Sequence, residues 1–414
     1  MMKNPALWIL GLFVLSIPSE SGVAVAGVGS LSRLLGIAAF AVGVLSLWER
    51  GRLRVRPPSL FLAVAAVFVL WAFATYFWSL APDRTIVRTS QFIQLFVFAW
   101  LVHQYASCDR KRDFLLQAFV VGCYVMISVA LVAFFSDARG GYRDVGFGPN
   151  SFAGVAAIAI PMAWGLMLRR TYPWLQALNA AYPVFALAAV VLAASRGGLF
   201  TALVALTIIP LTLPQLSTVR RLVLFGAVAS VAWAAFTLTP QAVPDLERNL
   251  ERLARADEDL LDGTMTNRTM IWAAGAEVFA TSPIVGVGVG AFARAVEPIY
   301  GRAVGAHNAF WSVAVTAGIV GLMLFAGMFM VTFTGVMVNP DRRTEYLVLL
   351  AALLVTMMPS NYESNKFVWF ILALLSSARP IMLHYGARAP TVPIAAHPDH
   401  APQGVAKVGL QTRS

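Results

Sequence analysis

Charge is scarce in this 414-residue chain: Asp, Glu, Lys and Arg together make up 12% of it, against about 25% in an ordinary soluble domain. With hydrophobic residues at 59% and a mean hydropathy of +0.73, an ordinary soluble domain is excluded. Cysteine is nearly absent. Cys108 and Cys123 offer neither a pairing pattern nor metal-ligand spacing, so a disulfide scaffold and a cysteine-rich metal centre are both ruled out. Histidine is almost as rare, with five in the chain. No internal repeat is visible, which removes the repeat symmetry typical of a transporter or flippase.

What the chain has instead is long apolar runs. A spanning helix needs roughly 20 mostly apolar residues, and candidate segments fall near 5–18, 31–48, 58–79, 89–106, 114–135, 150–168, 174–194, 198–214, 221–239, 308–336, 345–359 and 365–378. This reads as an all-α polytopic membrane protein of about 12 transmembrane helices; 5–18 and 365–378 are short enough to be re-entrant. Lys and Arg collect in cytoplasmic loops. With the N-terminus inside, the cytoplasmic side takes 18 basic residues, among them Arg110, Lys111, Arg112, Arg169, Arg342 and Arg343, against six acidic ones; the outer side takes 13 basic and 14 acidic. The net charge of +11 is then a topology signal, and nucleic acid is not needed to explain a pI near 10.1. Lys3, an apolar run and Ala24-Val25-Ala26 imitate a secretory signal, but the small-residue site lies too far beyond the apolar core. The chain divides into a transmembrane domain at 1–385, containing a periplasmic loop subdomain at 240–307, and a disordered cytoplasmic tail at 386–414 whose prolines stand among small residues.

The 240–307 loop is the one long polar interruption, and it ends in His307-Asn308 directly before an apolar segment. Twelve of the 13 outward basic residues are arginine, whose planar donors match phosphate oxygens two at a time. Arg84 and Arg88 begin the fourth segment, Arg143 precedes the sixth, and Arg196 sits in a turn too tight to carry its charge into water, which makes it a functional candidate. Asn150 opens the sixth segment and suits either a helix cap or a ligand contact. His307 is the one outward histidine and the best general base on that side, with Asn308 or a nearby carbonyl to orient its ring. The Asp257–Asp262 acids alternate with leucines as a surface amphipathic helix does, so no metal is read there. Gly286-Val287-Gly288-Val289-Gly290 lacks the strand and helix of a dinucleotide site and serves a tight backbone turn.

Ser195-Arg196-Gly197-Gly198, Asn267-Arg268-Thr269-Met270-Ile271-Trp272, Ser282-Pro283-Ile284-Val285-Gly286-Val287-Gly288 and His307-Asn308 before Gly318-Ile319-Val320-Gly321 together resemble the bacterial O-antigen ligase and polymerase superfamily, over about residues 146–337. The resemblance implies a GT-C-type, inverting, metal-independent glycosyltransferase without a cofactor, in the inner membrane of a Gram-negative cell with both termini cytoplasmic. Its donor is a glycan on undecaprenyl diphosphate; for a ligase the acceptor is lipid A–core, and for a polymerase it is another glycan. Arg196, Arg268 and His307 become the catalytic set, and Arg84, Arg88, Arg143, Asn150 and Asn308 the contacts to diphosphate or glycan. Membrane lipids are the remaining partners. The single extended outer loop favours the ligase.

Overall fold

The computed structural model describes residues 4–20, 24–25, 29–49, 52–53, 55–136, 148–169, 172–193, 195–213, 217, 219–220, 226, 230 and 264–378. Arg143, the 221–239 segment apart from 226 and 230, the acidic stretch up to Asp262 and the tail from 386 lie outside these residues.

The apolar segments fold as helices. We number the described ones α1 (Pro5–Ser16), α2 (Leu31–Leu47), α3 (Leu60–Ala74), α4 (Pro82–Tyr105), α5 (Asp109–Ser136), α6 (Pro149–Met167), α7 (Pro173–Ala193), α8 (Arg196–Leu206), α9 (Ile208–Thr212), α10 (Thr264–Thr281), α11 (Phe292–Tyr300), α12 (Ala309–Met337), α13 (Arg343–Met357) and α14 (Lys366–Ala378). A 3-10 turn, Thr75–Trp78, extends α3, and two antiparallel ladders of two-residue strands flank α2. Side-chain caps set several helix starts: Ser59 takes the Leu62 amide, Ser195 that of Gly198 and Asn308 that of Trp311.

Among the described residues six helices are long and apolar enough to cross a membrane: Leu60–Trp78, Pro82–Tyr105, Asp109–Val132, Pro149–Met167, Pro173–Ala193 and Ala309–Met337. The other expected segments that fall on described residues form shorter helices. α1 stops at Ser16, two residues before Pro18, and its 12 residues span about 18 Å at 1.5 Å each. The 198–214 segment is divided at Thr207, where Pro210 cannot donate to the Leu206 carbonyl.

α14 is the least conspicuous in the sequence and the most enclosed in the fold. Every residue from Phe367 to Ser377 is buried, and Phe370 stacks between Phe98 of α4 and Phe119 of α5. A helix apolar on all sides belongs inside a bundle, and its 13 residues need not reach both membrane faces when neighbours surround it. α6 behaves similarly, buried from Phe152 to Ala163 against α7 and α8.

α12 is broken inside its apolar stretch. Gly318 has φ 70° and ψ −174°, a conformation open to glycine alone. The Ser282–Gly290 loop lies along the break and takes up the groups it frees: Ile319 N–H donates to Pro283 O at 2.8 Å, Gly288 N–H to Thr316 O at 2.9 Å and Val287 N–H to Val315 O at 3.2 Å. The Trp71 indole donates to the Ala317 carbonyl at 2.8 Å. A side chain on Gly286 would overlap the Thr316 and Gly318 backbones. The glycine-spaced motif thus folds tightly, as expected, and what it folds onto is the Gly318-Ile319-Val320-Gly321 motif.

The described part of the polar loop has its own apolar centre, made by Ile271, Ala274 and Val278 of α10, Phe292, Ala295 and Val296 of α11, and Val315 of α12.

Candidate functional site

The site is assembled from three turns. In the first turn Ser195 caps α8, leaving Arg196 as that helix's first residue. A cation is disfavoured at the positive end of a helix, so its placement there implies an anionic ligand better than it implies helix stability. The Ser195 hydroxyl donates to Asn150 Oδ1 at 2.8 Å. Asn150 therefore does not cap its own helix; Gly148 occupies that position. Gly197 and Gly198 permit contact: added β-carbons would strike Pro359 and Ala153.

The second turn carries His307, with φ 49°, the one non-glycine residue in the left-handed region among those described. Such backbone strain is retained where surrounding contacts enforce it, commonly at functional positions. The peptide before His307 is fixed by the Trp272 indole, which donates to the Ala306 carbonyl at 2.8 Å. Trp272 lies four residues beyond Arg268 on α10, and i,i+4 residues share a helix face. One helix therefore anchors the His307 turn and delivers a guanidinium to it.

The third turn is the Met358–Asn365 connection between α13 and α14. Its Pro359 faces Gly197, Asn361 Oδ1 accepts the Asn308 N–H at 3.3 Å, and the Tyr362 hydroxyl meets Ser151 of α6 at 3.0 Å. Glu363 accepts from the Ser312 hydroxyl at 2.9 Å, and Ser364 receives the Arg88 guanidinium. Sequence reading missed this loop. Its signal was the polar run Pro359-Ser360-Asn361-Tyr362-Glu363-Ser364-Asn365 between two apolar helices.

Arg196, Arg268 and His307 converge electrostatically. The Arg268 guanidinium is held below an ordinary arginine by desolvation and then by Arg196; the His307 imidazole is held below an ordinary histidine by desolvation and then by Arg268. His307 is exposed, yet the atoms crowded round its ring remove part of its hydration. Among the described residues no carboxylate lies within salt-bridge distance of Arg268 or His307. An imidazole kept neutral beside guanidinium groups is equipped to accept a proton where negative charge develops.

The remaining candidates divide. Arg84 is solvated, 77% exposed and 3.8 Å from Asp83. Arg88 is half-buried and turns inward to Ser364, lining with Glu363 a cavity with room for about one water. Burial pushes the Glu363 carboxyl above the usual range, with Arg88 opposing it. Asn308 uses its side-chain oxygen to cap α12 at 3.0 Å from Trp311 N, and its amide nitrogen faces Met358 Sδ at 3.7 Å. Its side chain therefore serves the helix start and not the His307 ring, which corrects the orienting role expected of it.

The family model described as O-antigen ligase matches residues 181–326, a stretch that runs from α7 through Arg196, Arg268 and His307 into the broken helix α12. No curated protein matches the chain. Over residues 181–326 the chain is therefore similar to the O-antigen ligase family, and the match supports the resemblance to that superfamily carried by the motifs.

Proposed function

We propose that the protein transfers a glycan from undecaprenyl diphosphate to lipid A–core at the periplasmic face of a bacterial inner membrane. The carrying observation is α10, whose Trp272 holds the peptide before His307 while Arg268, one turn earlier, acts on the imidazole and is itself acted on by Arg196. In the proposed step the acceptor hydroxyl oxygen attacks the anomeric carbon of the first sugar from the side opposite the diphosphate. The hydroxyl proton passes to His307, the bond from carbon to diphosphate oxygen breaks, and undecaprenyl diphosphate leaves. One displacement inverts the anomeric configuration. The charge that grows on the leaving oxygens is met by two guanidinium groups, so the step needs no metal and no cofactor. Arg84 and Arg143 extend the donor contacts, while Arg88, Asn150 and Asn308 act mainly by holding the turns.

The accompanying topology has about 12 segments crossing in a GT-C-type arrangement, both termini cytoplasmic, residues 240–307 periplasmic and residues 386–414 a disordered tail. Two clusters at opposite ends of the sequence-derived topology support it. Asp109, Asp113, Arg169, Arg342 and Glu345, all assigned inside by charge bias, meet in one cluster, and Arg196, Arg268 and His307, all assigned outside, meet in another.

The test is the lipopolysaccharide profile of a strain lacking the gene. Core alone, with lipid-linked polymer accumulating, is the expected result. Core bearing a single repeat assigns the protein to glycan polymerisation, and an unchanged profile removes both readings.

A further inference from the structure

His307 stands between two peptide groups that are each held by a side chain from elsewhere. The peptide before it is fixed through the Ala306 carbonyl by Trp272 of α10; the peptide after it is fixed through the Asn308 N–H by Asn361. Rotation about φ turns His307 against the first of these peptides, and rotation about ψ turns it against the second. Both dihedrals are thereby set, which is how a residue with φ 49° is maintained against the usual preference for negative φ. Asn361 also fills the space beside Gly305, where an added β-carbon would strike its amide nitrogen. The loop that carries it is secured on the far side by Glu363 on Ser312 and by Ser364 on Arg88, and its Pro359 abuts the Arg196 turn at Gly197.

We infer that Asn361 is the positioning residue for His307, holding the imidazole toward the acceptor and keeping it in register with the Arg196 turn that the same loop touches. This rests on the glycan-transfer reading, but the geometry it describes is testable without turnover. Among the described residues Arg268 of α10 is the charged group that bears on His307; Trp272 and Asn361 are neutral.

The experiment uses the full chain in lipid nanodiscs, as wild type, Asn361→Leu and Asn361→Asp. His307 reactivity with diethyl pyrocarbonate is followed against pH by peptide mass spectrometry, beside kcat and the KM for a lipid-diphosphate glycan donor. Leu keeps roughly the volume and removes the acceptor. It is expected to lower kcat by about 10- to 100-fold, the scale of a small misplacement of a reacting group, to leave the donor KM near wild type, and to change the reactivity of His307. Asp keeps the acceptor for Asn308 N–H and adds a negative charge. It is expected to restore most of kcat and to move the His307 titration to higher pH. Wild-type kcat and an unchanged His307 profile in Asn361→Leu overturn the inference, as does a fall in folded yield with no change in that profile in either variant. Should the wild-type protein transfer no glycan, the function reading falls while the His307 profiles still decide the positioning.

Discussion

Arginine is used in two opposite ways at two places in this molecule. Where α5, α6 and α13 meet, Arg169 lies 3.0 Å from Asp113 and also pairs with Glu345, and Arg342 is 2.7 Å from Asp113 and 3.5 Å from Asp109. Burial works against the Arg342 charge, but the hydrogen bonds it donates to Asp113 and the charges of Tyr346, Asp113 and Glu345 together outweigh burial, and its proton is held more tightly than an ordinary arginine's. Around His307 burial and a neighbouring cation act in the same direction, on Arg268 through Arg196 and on His307 through Arg268. The first cluster is internally neutralised and spends its charge on joining helices. The second concentrates positive charge at a strained turn, which is stabilising once an anion arrives.

The largest expected break in that comparison is His307→Ala. Loss of a general base costs about a hundred- to ten-thousandfold in rate, so transfer should nearly stop while binding of the lipid-diphosphate donor persists; equal loss of both would assign the histidine to the diphosphate site instead. Next comes Arg268→Lys, which keeps a charge but loses the paired donors. Removing one preorganised donor lowers the rate by up to about a thousandfold, and full activity in the purified variant would take Arg268 out of the site.

A smaller effect sharpens the electrostatic argument. Because desolvation and then Arg268 disfavour the imidazolium, the unprotonated base persists to lower pH than in an ordinary histidine, and activity should climb as pH rises through that lowered value. Arg268→Gln removes the opposing cation, so the ascending limb of kcat should move to higher pH, whereas Arg268→Lys should leave the limb in place. A limb that ignores both substitutions means that another group controls it.

The smallest effect on transfer is expected at the neutralised cluster. Glu345→Ala takes away one of the two carboxylates paired with Arg169 and leaves Asp113 as the other, a change that costs up to about 3–5 kcal/mol, the scale for removing one member of a buried pair. The melting temperature in detergent should drop while kcat per folded molecule is retained. A catalytic defect with an unchanged melting temperature would contradict the division between the two clusters.

Hydrophobic runs and charge bias made the helical membrane architecture legible, because a spanning helix needs length and apolarity and little else. They did not reveal enclosure: α14 is as short as its apolar run suggested, but nothing in that run showed that every residue from Phe367 to Ser377 would be buried. For the site, Arg196 and His307 stood out as ionisable groups at the ends of apolar segments, and Arg268 through the Asn267-Arg268-Thr269 motif in the polar loop. The Met358–Asn365 loop did not, since its work is done by a neutral amide and by contacts more than 50 residues away in the chain. Asn308 was legible as important but not in its task, because helix capping and ring orientation call on the same amide. The match between the glycine motif and the broken helix was equally invisible, as nothing in either motif alone names its partner.

The break at Gly318 also carries a consequence for biogenesis. An interrupted helix exposes backbone groups that lipid cannot satisfy, and a ribosome delivers the chain from its N-terminus. Trp71, Pro283, Ile284, Val287 and Gly288, which between them serve the carbonyls of Val315, Thr316 and Ala317 and the amides of Ile319 and Val320, all precede the break. When Gly318 emerges its partners already exist, so the one irregular stretch of backbone in α12 can be sealed on arrival and never has to wait in the bilayer for a later segment.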